Sequence, residues 1–132
     1  MKINMYSIFV EDQQKALDFY TNVLGFEKKQ DIPVGEYRWM TVVSPEGGDT
    51  ELSLEPNVNA DANVFQKAMF EQGIPFTGFE VDDLDAEFKR LTELGVAFTT
   101  KPTPAGDVAI ATFADTCGNL IQLYERTPGE TG

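Results

Sequence analysis

Two stretches, VEDQQKALDFYTNVLGF (residues 10–26) and VDDLDAEFKRLTELGV (residues 81–96), follow one plan. Each leaves an apolar run, passes an acidic pair and enters a segment whose apolar residues recur at helical spacing. These are Ala16, Leu17, Phe19, Tyr20, Val23 and Leu24 in the first, and Leu84, Phe88, Leu91 and Leu94 in the second. Asp12 is the expected N-cap of the first helix and Asp82-Asp83 the cap of the second, because a carboxylate satisfies the first free N–H groups. Gly25 and Gly95 are the expected stops, since glycine takes the left-handed position that ends a helix. Superposing Val10-Glu11-Asp12 on Val81-Asp82-Asp83 brings Leu24-Gly25 onto Leu94-Gly95 with one residue of gap.

Outward from these helices the repeat continues. The first is preceded by a strand candidate at Met5 to Val10 and followed by three more, Phe26 to Gln30, Tyr37 to Val43 and Thr50 to Leu54. Pro33-Val34-Gly35 and Ser44-Pro45-Glu46-Gly47-Gly48 are read as the breaks. The second is preceded by Thr77 to Val81 and followed by Ala97 to Thr99, Val108 to Ala114 and Leu120 to Tyr124, with breaks at Pro102-Thr103-Pro104-Ala105-Gly106 and at the Asp115 turn. Between the halves, residues 62–72 carry Val64, Phe65, Ala68 and Met69 at helical spacing. The expected organisation is one domain over residues 1–127, with module one at 1–58, a linker helix at 59–73, module two at 74–127, and a tail at 128–132. A βαβββ unit of roughly fifty residues cannot bury the sheet face opposite its helix. The expected fold is therefore α+β, two βαβββ modules forming a curved mixed sheet around a cleft, either side by side or exchanged between two chains.

Composition narrows the function. The chain has 132 residues, 42% hydrophobic, with ten Phe and a net charge of −12 from 22 acidic and 10 basic residues. That field repels phosphate backbones and anionic lipid, so neither nucleic acid nor membrane is an expected partner. No apolar run approaches the roughly eighteen residues a membrane helix needs, and the opening Met1-Lys2-Ile3-Asn4 lacks signal-peptide character; a cytoplasmic location is expected. Histidine is absent, which removes the commonest general base and metal ligand of neutral pH. The lone Cys117 rules out an intrachain disulfide and lies in a turn with no activating base in sequence. Walker, GxGxxG and GxSxG motifs are missing, and nucleophilic hydrolysis is excluded with them.

Several residues stand out. Strand parity places Glu51 with Ser53 on one face and Leu52 with Leu54 on the other. A carboxylate there suits a base for proton abstraction, the catalytic candidate of the chain, or a counter-ion to a ligand, and burial would raise its pKa. Gln122 is an amide in the apolar strand Leu120 to Tyr124, on the face of Leu120 and Tyr124. In GEYRWMTVV (residues 35–43), Arg38 and Trp39 fall on opposite sides of a strand, leaving Trp39 either as core or as a stacking residue in the cleft. The acidic cluster around Asp82 lacks calcium-loop spacing and reads as a solvated helix cap.

The strand followed by VEDQQKALDFYTNVLGF, and the second unit ending in GNLIQLYE (residues 118–125), resemble the vicinal oxygen chelate superfamily, the group of glyoxalase I, bleomycin-resistance proteins, extradiol dioxygenases and fosfomycin-resistance enzymes. The likeness runs from Ile3 to Glu125 and implies the same paired-module fold. Its metal-using members place four ligands on the cleft face, from the first and last strand of each unit. By pattern these positions fall on Met5, on Glu51 in TELSL, on Phe76 or a neighbour ahead of GFEVDD, and on Gln122. A thioether is a soft ligand and a phenyl ring is none, so a hard divalent ion would keep only the oxygens of Glu51 and Gln122.

The resemblance thus implies a small-molecule-binding protein that acts without a cofactor, by ligand binding or drug sequestration. Met5, Trp39, Glu51, Phe76, Gln122 and Tyr124 would line its site. A cationic part of the ligand would suit the acidic field, and a homodimer is the expected assembly. The rival is a metal-dependent lyase, isomerase or dioxygenase with a divalent metal at Glu51 and Gln122.

Overall fold

Strand β1 (Met5–Val10) runs into Asp12, whose side chain accepts a hydrogen bond from the Lys15 N–H at 3.0 Å and so caps helix α1 (Gln13–Asp18). The helix continues as a π turn over Phe19–Val23, and Gly25, at φ 94°, ends it as the sequence predicts. This computed structural model describes residues 1–126, so the expected tail lies outside the described residues. Strands β2 (Glu27–Val34), β3 (Tyr37–Val43) and β4 (Glu51–Pro56) complete the first βαβββ order. Helix α2 (Ala60–Glu71) leads to the second: β5 (Thr77–Glu80), α3 (Leu84–Glu93), β6 (Phe98–Ala105), β7 (Val108–Ala114) and β8 (Leu120–Arg126).

Each order makes a four-stranded mixed sheet, β1-β4-β3-β2 in sheet one and β5-β8-β7-β6 in sheet two. In both, the first strand pairs parallel with the last, and the other pairs are antiparallel. The chain divides into two compact units. One comprises Met1–Ala68 with Asp115–Gly118, the other Met69–Ala114 with the residues from Asn119 on.

Two expected breaks are corrected. Pro33 lies inside β2, and Pro102 and Pro104 lie inside β6. Both are edge strands, where a residue without an N–H costs the ladder nothing on its open side. The chain reverses instead at the two-residue turns Gly35-Glu36 and Gly106-Asp107, with the glycines at φ 61° and 69°.

Alternation then assigns the faces. In unit one the Arg38 guanidinium reaches Gln14 of α1, so the face of Arg38, Met40 and Val42 is the helix side. Ile8, Val10, Ala16, Leu17, Met40, Val42 and Leu54 are buried there. In unit two Phe88 of α3 meets Phe98 at 4.7 Å between ring centroids, and Phe98 meets Phe113 at 5.5 Å. Phe113, Ile121 and Leu123 therefore form the helix side, and Thr112 and Gln122 face the other way.

Polar locks inside unit one were not foreseen. The Tyr20 O–H donates to Asp115 Oδ2 at 2.7 Å, and the Cys117 N–H donates to Oδ1 at 2.8 Å. Burial, and then the Asp115 carboxylate, pushes the Tyr20 phenol well above its ordinary range, so it remains a donor. The same two causes push the buried Cys117 thiol up to about 11, which leaves it protonated and unreactive at neutral pH. On α2 the expected apolar stripe is not what is buried. Val64 and Phe65 are 68% and 52% exposed, while Gln66 is 2% exposed and donates to the carbonyls of Phe9 and Cys117 at 2.9 and 3.2 Å. Gly118, at φ 99°, is required beside it, because a Cβ there would lie 2.8 Å from Gln66 Nε2.

The phenol of Tyr20 is fully buried. Tyr20→Phe is expected to lower the unfolding free energy by about 1.5–3 kcal/mol, the range for a hydrogen bond to a charged group. Urea denaturation at pH 7 measures it, and an unchanged midpoint would count against the assignment.

Candidate functional site

The face of sheet one that looks away from α1 carries a carboxylate, Glu51, with polar neighbours gathered round it. Glu51 opens β4, opposite Met5 in the parallel ladder and Val43 in the antiparallel one. Its Oε1 accepts hydrogen bonds from Gln30 Nε2 and Thr41 Oγ1, both at 2.8 Å, and Lys29 Nζ lies 3.5 Å from Oε2. A β-bulge explains how two consecutive residues reach one carboxylate. Lys28 pairs with Val42 on the helix side and Gln30 with Thr41 on the opposite side, so Lys29 is the extra residue at which parity changes.

The electrostatic consequence corrects the expectation from burial. The hydrogen bond from Gln30, then that from Thr41, with the Lys29 charge adding, outweigh desolvation and hold the Glu51 carboxyl below its ordinary value of 4.5. Glu51 is thus ionised at neutral pH and a weak proton acceptor.

Of the six residues picked from the sequence, three belong to this face. Met5 is the register partner of Glu51 and is 39% exposed. Trp39 alternates with Thr41 and Val43 and is half-buried, while Arg38 points to the helix side and pairs with Asp31 at 2.6 Å. The other three belong to sheet two. Gln122 is half-buried and has no side-chain hydrogen bond among the described residues; Thr112 and Gly78 are its register partners. Tyr124 lies beside it, its ring carbon Cδ1 3.7 Å from where a Cβ on Gly78 would be. Phe76 precedes β5 and donates its N–H to the Leu120 carbonyl, two residues short of the Gln122 pairing.

These donors do not suit a hard divalent ion. Phe76 has no lone pair, Met5 offers only sulfur, Glu51 Oε1 already accepts twice, and an ammonium group faces Oε2. Among the described residues no three His, Cys, Asp or Glu side chains gather as a cation site. Sequence reasoning missed Lys29, Gln30 and Thr41, which decide the state of Glu51. Thr41 is legible in retrospect, because i and i+2 residues share a face. Lys29 and Gln30 are not, because the bulge breaks the parity on which such reading depends.

Comparison with known proteins agrees with this architecture. The family pattern of the Glyoxalase/Bleomycin resistance protein/Dioxygenase superfamily matches residues 2–123. The Bacillus subtilis (strain 168) protein YurT is 55% identical over 127 residues, covering 96% of this chain and all of that one. A superfamily member from Sphaerobacter thermophilus DSM 20745 is 33% identical with a TM-score of 0.74, covering 96% of this chain and 98% of its own. TnmS3, an antibiotic binding protein from Streptomyces sp. CB03234, is 30% identical with a TM-score of 0.75, covering 96% of this chain and 97% of its own.

A depressed carboxyl pKa contributes stability above the unfolded-state value, and that contribution is lost as pH falls through the folded-state value. Glu51→Gln is therefore expected to be less stable than the parent chain at pH 7, with the gap narrowing below pH 4.5. Denaturation midpoints compared at pH 7 and pH 3.5 check this, and a constant gap would contradict it.

Proposed function

Because the chain belongs to the Glyoxalase/Bleomycin resistance protein/Dioxygenase superfamily, we propose that it is a small-molecule-binding member that holds an organic compound of the antibiotic kind without metal-assisted chemistry. The observation that carries this reading is the state of Glu51. Coordination of an ion needs an oxygen lone pair that no other cation already faces, and abstraction of a proton needs a basic carboxylate. Glu51 instead has one oxygen accepting from Gln30 and Thr41, the other facing Lys29, and a lowered pKa. A residue held in this way serves as a fixed polar anchor. Around it the sheet-one face offers Met5, a sulfur side chain that adapts to varied shapes, and Trp39, whose ring stacks on planar groups. The likeness to TnmS3 over nearly the whole of both chains supports the same reading.

Calorimetric titration of the EDTA-treated chain with bleomycin and a panel of aromatic antibiotics tests it. At least one compound is expected to bind one per chain, with a dissociation constant on the order of micromolar or below. It should be recovered chemically unaltered, and EDTA should not change its affinity. Binding that disappears with EDTA and returns with a single divalent ion, or conversion of the compound, would favour the metal-dependent enzyme.

A further inference from the structure

The sheet-one face contains a polar atom for which the fold has no use. Ser53 is 1% exposed, and its Oγ is buried without a hydrogen-bond partner among the described residues. An unpaired buried hydroxyl costs about 1–3 kcal/mol, whereas alanine at the same position would cost nothing of the kind. Such a group calls for an explanation outside packing. We propose that Ser53 anchors the ligand: its hydroxyl pairs with an amide or hydroxyl group of an uncharged, ring-bearing molecule that lies over Met5, Ser7 and Trp39. This rests on the ligand-binding reading above and specifies its chemistry.

Three observations support it. First, the registers Ser7↔Ser53 and Thr41↔Ser53 set three hydroxyls in one row across the sheet. That of Thr41 is committed to Glu51, and Ser7, on the edge strand β1, is exposed. Ser7 is thus the exposed end of the row at the β1 edge, and Ser53 is the next hydroxyl in line.

Second, the internal repeat gives Ser53 a counterpart. The corresponding row of sheet two is Gly78, Gln122 and Thr112, with Gln122 between a parallel and an antiparallel partner as Ser53 is. Gln122 too has no side-chain partner among the described residues. The register counterpart of Glu51 is Leu120, which lies opposite Ala114 as Glu51 lies opposite Val43. Both modules thus carry a neutral polar side chain at the centre of the face, and only module one adds a carboxylate at this register.

Third, the surrounding charges favour a neutral partner. Lys29 already supplies the cation that Glu51 would otherwise seek, so a cationic ligand gains little there. A hydroxyl both donates and accepts, which matches an amide or an alcohol. Trp39 alternates with Thr41, which puts it diagonal to Ser53 at roughly 7–8 Å, about the reach of a two-ring molecule.

Two measurements on Ser53→Ala, with Thr41→Val as control, test the proposal. Without ligand, Ser53→Ala should melt roughly 3–5 °C above the parent chain because an unpaired hydroxyl is removed, and Thr41→Val should melt below it because a paired one is lost. The probe 2-naphthamide, followed through the Trp39 indole N–H signal in proton–nitrogen NMR spectra, should bind the parent chain. It should bind Ser53→Ala at least tenfold more weakly, while 2-naphthylmethylamine binds neither well. A lower melting point for Ser53→Ala would overturn the proposal, since the hydroxyl would then be structural. So would equal affinity of the two chains for 2-naphthamide or for any antibiotic that binds in the calorimetric titration; the ligand-binding reading would survive that result. Failure of the parent chain to bind any neutral probe or antibiotic would sink both.

Discussion

A carboxylate half-sunk in a sheet face must be compensated where it stands, because desolvating an unpaired charge costs far more than a single side chain contributes to folding. Glu51 meets this constraint through three neighbours: a threonine diagonal to it on the neighbouring strand, and two consecutive residues brought round by a bulge in the edge strand. The rest of the face follows. Thr41 is fully buried and committed, Ser53 beside it is buried and uncommitted, and the charge is balanced by Lys29. A carboxylate hydrogen-bonded and faced by an ammonium in this way suits the recognition proposed above better than chemistry at its own oxygens.

The repeat supplies the frame and divergence supplies the character. Both modules use the same parallel pairing of first and last strand, the same capping aspartate and the same glycine stop. Their faces are not equivalent. Sheet one carries Glu51 in a hydrogen-bonded cluster, and sheet two carries Leu120 at the corresponding register, with Gln122, Thr112 and Gly78 forming a neutral row. Unit one is further tied by buried polar groups, the Tyr20 phenol on Asp115 and the Gln66 amide on two backbone carbonyls.

Much of the fold was legible in the sequence, because it rests on local signals. Asp12 and Asp83 cap their helices, Gly25 and Gly95 end them, and β1, β3 and β7 begin and end where alternation says they should. The full lengths of edge strands β2 and β6 were not, since Pro33, Pro102 and Pro104 are breakers only where an N–H is needed, and sequence does not reveal which strand is an edge. Gln66 was missed for a related reason: its burial depends on carbonyls of residues distant in the chain. At the site, the face shared by Trp39 and Glu51 follows from period two, but the acidity of Glu51 was expected with the wrong sign. Burial alone raises a carboxyl pKa, and the donors that reverse the effect arrive through a bulge and from other strands.

The Glu51 carboxylate is held ionised by its own neighbours. Carbon-detected NMR of the Glu51 carboxyl carbon, titrated with acid and then examined with stoichiometric Mn²⁺, addresses this directly. An ionisation midpoint below 4.5 and a signal that Mn²⁺ leaves unbroadened are expected. A midpoint at or above 4.5, or selective broadening of that signal by one equivalent of Mn²⁺, would contradict it.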